Sequence, residues 1–137
     1  MNFKFLVLFL LTFSLQSLAY SSHPCVPRHG QSEVDLKNPD QLLEAGLYLM
    51  RNLRTFEAIE CLNTAKIISP KYLDVRLALM NSFHDLGDKN SGMLEAKAIG
   101  RFGQLNEYYY ETYMTYLAKL NRLTSSRSYR GYTYLDI

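Results

Sequence analysis

The side chains best suited to metal or redox chemistry are three histidines and two cysteines, and four of the five stand toward the N-terminal half. His23, Cys25 and His29 form an H-x-C-x3-H cluster, and imidazole with thiolate suits zinc or copper. Only three ligands are present, on a Pro-broken segment with no geometry of its own, so no metal or other cofactor is expected. Cys25 and Cys61 make an even pair. A bridge between them closes a loop of about 37 residues, worth roughly 4 kcal/mol in the chain-entropy model; the alternative is two unpaired thiols, one in a loose arm and one half-buried on a helix. His84 and Asp85 are neighbours on a helical segment and point about 100° apart, which does not make a base with its orienting acid. No HExxH, GxSxG, Walker loop or CxxC occurs, and Glu44, Glu57, Glu60 and Glu95 read as solvated helix faces. The expectation is a protein that is not an enzyme.

Residues 1–19, MNFKFLVLFLLTFSLQSLA, combine one early Lys, an apolar run and small residues two apart, the layout of a cleaved signal peptide with its cut before Tyr20. The apolar stretch from Phe5 to Leu18 is about 14 residues, short of the roughly 20 that a spanning helix needs. Cys25 lies six positions past Ala19, where it cannot become an acylated N-terminus. The expected mature chain is exported, periplasmic or secreted, without a stable membrane anchor, and export permits a disulfide.

With 137 residues and 47% of them hydrophobic, the chain is one domain's worth of sequence. A net charge of +2 gives no electrostatic case for nucleic acid. Residues 20–37 are rich in Ser, Pro, His and Gly and read as an irregular arm. Asn38-Pro39-Asp40-Gln41 then signals a helix start, with Asn as cap and Gln reaching back to it, and this helix should run to about Asn52. Thr55 is placed to cap a second helix carrying Phe56, Ala58, Ile59, Leu62, Ala65 and Ile68, stopped by Ser69-Pro70. A third spans Leu73 to Leu86 and is closed by Gly87, and a fourth runs from about Ser91 to Phe102, closed by Gly103. The fifth starts near Asn106 and presents Tyr110, Tyr113, Met114, Leu117 and Leu120 on one stripe. Five helices with tight connections predict an all-α domain over 38–121, followed by a Tyr/Arg-rich tail over 122–137.

Offset by 34 residues against itself, the chain aligns Leu42 with Arg76 and Tyr110, Ala45 with Leu79 and Tyr113, Gly46 with Met80 and Met114, and Leu49 with Phe83 and Leu117. In the second helix of each pair, Ala58 falls on Gly92, Leu62 on Ala96 and Ala65 on Ile99. This pattern resembles the tetratricopeptide repeat, a 34-residue helix-turn-helix unit, over about 83 residues. Gly46, Leu49, Ala58, Leu62, Ala65 and Pro70 occupy family positions in the first unit, and Leu79, Phe83, Gly87, Gly92, Ala96 and Ile99 in the second. Arg76 stands where the family has a large apolar residue, Gln104 replaces the final proline and Ala45 is small where Leu is usual. The resemblance implies antiparallel helix-turn-helix pairs, two and a half units in all, with helix five closing the last apolar face.

It also implies a concave groove lined by the first helix of each pair. Carried over position by position, its contacts are Asp40, Leu43, Leu47 and Met50, then Asp74, Leu77, Asn81 and His84, then Tyr108, Glu111 and Thr115. Relatives that clamp a terminal carboxylate use Lys and Asn. Asn81 fits, but the basic positions hold Leu43, Asp74 and Ala78, so no carboxylate clamp is expected. Leu43, Leu47, Met50 and Leu77 are equally readable as groove or as core. The composition has 11 Tyr and no Trp, and three consecutive tyrosines, Tyr108 to Tyr110, span about 300° around a helix and cannot all be core. With Tyr113 they suit an interface. The tail interleaves Arg127 and Arg130 with Tyr129, Tyr132 and Tyr134; it reads as a disordered tail, as a strand for a partner's sheet edge, or as a cover folding back over the groove.

The expected function is an exported adaptor that binds a protein or peptide partner, with envelope or secretion assembly as its setting. The alternative is a small secreted effector or toxin-neutralising protein whose helices are scaffold and whose arm or tail binds.

Overall fold

A computed structural model of the chain describes Cys25 and residues 34–124. The leader at 1–19, the arm apart from Cys25 and residues 34–37, and the tail from 125 onward lie outside the described residues. Among the described residues the fold is all-α, with five helices and no strand: α1 Pro39–Arg51, α2 Thr55–Ile68, α3 Leu73–Leu86, α4 Lys89–Gly100 and α5 Glu107–Asn121. Each helix packs on the next, and α3 also touches both α1 and α5. That makes α3 the central element.

Local chemistry sets the ends. Asn38 caps α1 by accepting from the amides of Asp40, at 3.0 Å, and Gln41, at 3.4 Å, with Pro39 in the first turn where its missing N–H costs nothing. Gln41 does not return to the cap residue as expected; its Oε1 accepts from the Asp35 amide at 2.8 Å and ties down the incoming chain. Thr55 is the first residue inside α2 rather than its cap. Leu53, at φ 59°, turns the chain sharply and brings Arg54 to the cap position, where no side chain accepts from the free amides and the Arg54 guanidinium instead donates to the Glu57 carboxylate in the first turn. Gly87 ends α3 in the left-handed conformation (φ 73°), with the Asp88 amide donating to the Phe83 carbonyl. Asp88 then caps α4 through the Ser91 amide and hydroxyl, at 3.0 and 2.6 Å. This buried carboxylate starts α4 two residues earlier than the expected Ser91.

Two apolar clusters share α3. Val75, Ala78, Leu79 and Phe83 face α1 and α2 in the first, with Cys25 and Cys61 buried among them; Leu77 and Met80 face Ala96, Ile99 and Leu120 in the second. Cys25 and Cys61 are joined by a disulfide (S–S 2.07 Å), which pins the arm to α2 and fits an oxidising compartment. Glycines let helices close in. A Cβ on Gly46 would meet Leu62 at 2.8 Å, and one on Gly92 would meet Leu120 at 2.4 Å.

Glu95 corrects the expectation of a solvated face. It is 0% exposed on α4, with Oε1 3.0 Å from Lys66 Nζ on α2 and Oε2 2.8 Å from Arg76 Nη1 on α3. Arg76 also donates to the Pro70 carbonyl at 2.9 Å and lies over the Phe102 ring, 5.7 Å from its centre. Arg76 can therefore occupy an apolar position because its charge has a buried counter-ion and its plane an aromatic neighbour.

Two predictions follow from this packing, both read by thermal or denaturant unfolding. Glu95→Ala leaves two nearly buried cations facing each other and should cost about 3–5 kcal/mol, whereas Lys66→Met/Arg76→Leu/Glu95→Met together should approach wild-type stability; equal losses in both variants would show that the ions are not a unit. Gly92→Ala should lower stability by about 1–2 kcal/mol, the overpacking cost less the gain in helix propensity. Gly100→Ala, with nothing within 4 Å of the added methyl, should leave it unchanged or slightly raised.

Candidate protein-interaction surface

The residues expected to form one groove separate into three groups. Leu43 and Leu77 are buried, the first in the α1–α2–α3 cluster and the second in the α3–α4–α5 cluster, so both are core and not groove. Leu47 and Met50 are half-buried against the first cluster, and Met50 is held by Ser82, whose hydroxyl lies 3.1 Å from its sulfur. Asn81 and His84 on α3 remain half-buried, and Tyr108 and Glu111 on α5 are exposed. Tyr113 stands elsewhere, between α4 and α5.

The N-terminal acids of the first helices are engaged by tyrosines. Asp40 on α1 accepts from the Tyr72 hydroxyl at the start of α3, and Asp74 on α3 accepts from Tyr109 on α5 at 3.1 Å. Asp40 and Asp74 are 34 positions apart and each accepts from a tyrosine, though the donors Tyr72 and Tyr109 are 37 apart. The bond to the Asp40 carboxylate, aided by burial and by the charges of Asp40 and Asp74, pushes the Tyr72 phenol up to about 12. Burial, then the bond to Asp74, raises Tyr109. Tyr116 is raised by burial and by its nearness to Tyr108 and Asp85. His84 and Asp85 come closer than adjacent helix positions suggested, with Nδ1 and Oδ1 3.4 Å apart, but Asp85 is exposed, His84 only half-buried, and the contact is long.

The α5 helix is covered on one side. Tyr109, Tyr113, Tyr116 and Leu117 pack against the second cluster and Leu120 completes it, while Tyr108 is 69%, Tyr110 55% and Met114 42% exposed. The inward stripe therefore keeps the expected Tyr113, Leu117 and Leu120 but has Tyr109 and Tyr116 in place of Tyr110 and Met114. Two concavities open beside the exposed edge. One, of 490 Å³, lies between Ile99, Gly103, Leu105 and Tyr110; the other, of 540 Å³, lies between Asn90, Met93, Leu94, Lys97 and Leu117; Tyr113 borders both. The sequence signal that could have shown this was Asn106, which caps α5 through the Tyr109 amide at 3.0 Å and so sets the helix rotation.

Cys25 is committed to its disulfide and its sulfur is not available as a ligand. His23 and His29 lie outside the described residues, among which no group of three or more His, Cys, Asp or Glu is placed to hold a metal ion. Among the described residues no helix is long and apolar enough to cross a membrane. No family model, no curated protein and no solved structure matches this chain.

The tyrosine shifts carry a pH prediction. A folded pKa above the ordinary value near 10 contributes stability that is present below pH 10 and is lost as the pH rises toward 12. The tyrosinate absorbance of the folded protein should therefore keep a late-titrating component near pH 12. Asp40→Asn should bring that component down toward 10; an unchanged curve would show that Tyr72 does not owe its shift to Asp40.

Proposed function

We propose that this chain is an exported helical adaptor that holds a segment of a partner polypeptide on α5 and the adjoining concavities. The observation that carries the reading is the exposed edge of α5 formed by Tyr110 and Met114, set beside two apolar hollows on a helix that buries one side only. Tyr rings present large amphipathic area at little cost in conformational entropy, and Met adapts its shape to what it meets. The rim carries Lys97 and Glu107, so the segment that fits is apolar or amphipathic with mixed charge. The repeat resemblance supports the same reading: a 34-residue offset relates the paired helices, and arrays of this kind serve as binding surfaces. Envelope or secretion assembly is the proposed setting, supported by the leader-like first 19 residues and by the disulfide.

Capture of exported proteins on immobilised mature chain tests this. Tyr110→Ala/Met114→Ala removes two exposed side chains and should keep helicity while weakening capture of a specific partner tenfold or more. Ile67→Ala, exposed on α2, should capture normally. Undiminished capture by the α5 double variant would remove the site from this helix.

A further inference from the structure

We infer that α5 pairs with α5 of a second copy of this chain, antiparallel about a two-fold axis at Met114. The inference rests on the reading of the α5 edge as a contact surface and adds what covers that edge when no other polypeptide does.

Three observations support it. First, the exposed residues fall on one stripe. At about 100° per residue, Glu107, Tyr110, Met114, Ala118 and Arg122 lie within about 120° of the helix surface. All five are exposed, and Arg122, the cap residue, is still in helical conformation (φ −77°, ψ −14°). The stripe points away from Tyr109, Tyr116 and Leu120, which face the core.

Second, the charges are divided between the ends. The acids of α5, Glu107 and Glu111, stand in its first half, and the bases Lys119 and Arg122 stand at its end. Met114 is the middle residue of Glu107–Asn121, so a two-fold axis there overlaps the helices along their whole length and sets each Glu107 near Arg122 of the other copy. Symmetry makes that ion pair twice. A parallel pairing would set like charge on like. Acids at the start and bases at the end also suit the helix's own dipole, but the dipole does not require them on one stripe with apolar residues between. The α2 helix shows the contrast: it also exposes large apolar side chains, Phe56 and Ile67, yet its only base, Lys66, is buried in the ion pair with Glu95.

Third, the sizes are complementary. Residues equally far from Met114 meet across the axis, so Tyr110 lies on Ala118 of the other copy, a ring over a small residue, and the same contact forms again on the far side. The two Met114 side chains meet at the centre, where a flexible thioether fills the remaining gap.

The contact is small. One helix about 22 Å long offers less than the about 800 Å² that each side of a standard interface buries. Self-association is therefore weak and reversible, which leaves the edge open to a polypeptide that makes better contacts than a second copy does.

Sedimentation velocity of mature full-length protein over a concentration series reaching about 1 mM tests the pairing, with helicity checked by circular dichroism. Wild type should pass from monomer to dimer within the series. Glu107→Arg and Arg122→Glu each set like charges at both ends of the contact and should raise the dissociation constant tenfold or more. An equimolar mixture of the two variants restores opposite charges at both ends and should dimerise at the wild-type concentration, which chains damaged in their fold would not do. Wild type that stays monomeric throughout would overturn the inference, as would a dimer indifferent to either reversal or single variants that the mixture fails to rescue. Partner capture is scored separately. A dimer that follows the charges while no variant captures a partner leaves the pairing standing and the adaptor reading failed; capture that depends on Tyr110 and Met114 by a chain that stays monomeric does the opposite.

Discussion

The fold turns on one buried carboxylate. Glu95 is fully enclosed on α4, and an isolated carboxylate there would cost several kcal/mol in lost hydration. It is tolerated only because Lys66 from α2 and Arg76 from α3 each meet one of its oxygens. Three helices are thereby held in one mutual arrangement, since moving any of them by a few ångströms would strand a charge. Apolar packing between α3 and its neighbours is non-directional and would accept small slides; the ion triad does not. Stability and specificity are thus supplied by different groups.

The 34-residue offset makes the same point in another way. Glu95 falls on Cys61, and Arg76 falls on Leu42. In the first half of the domain the position 34 residues earlier is buried and covalently tied, to Cys25 of the arm, with Leu42 packed in the same cluster. In the second half the tie is ionic. A domain this small gains only a few kcal/mol from its core beyond the entropy it must offset, so a cross-link at each equivalent position is a large share of what holds it together. The disulfide joins the arm to α2, and the ion triad joins α2, α3 and α4. Neither reaches α5, which is held by Leu120, by half-buried tyrosines and by the Tyr109 bond to Asp74.

The course of the chain was readable from its sequence wherever a local rule decides: the Asn-Pro start of α1, the Ser-Pro stop of α2 and the glycine that ends α3 all act within a few residues of themselves. So was the pairing of Cys25 with Cys61, from their number and the leader-like start. What was not readable depends on contacts far apart in sequence. Glu95 looked like any surface acid because its partners lie 29 and 19 residues away. The signal was present in Arg76, an ion in an apolar slot, which required a buried counter-charge nearby. The rotation of α5 was missed for a related reason: with tyrosine at 108, 109, 110, 113 and 116, several stripes are almost equally apolar, and only the Asn106 cap and the Asp74 contact choose among them. Leu43 and Leu77, equally readable from the sequence as groove or as core, are needed for the core of a domain this small.

That shortage of core explains where a binding surface can be placed. Among the described residues α5 packs on α3 and α4 and has no further helix on its outer side. Here the uncovered side of α5 sets Tyr110 and Met114 beside Glu107 and Glu111, so large apolar side chains stay in water next to charged ones. Leaving Tyr110 and Met114 in water forgoes roughly 25 cal/mol for every Å² they could bury, and that unspent energy is available to whatever covers them. The exposed side chains of α5 therefore have area to gain from a contact, on a helix that neither the disulfide nor the ion triad reaches.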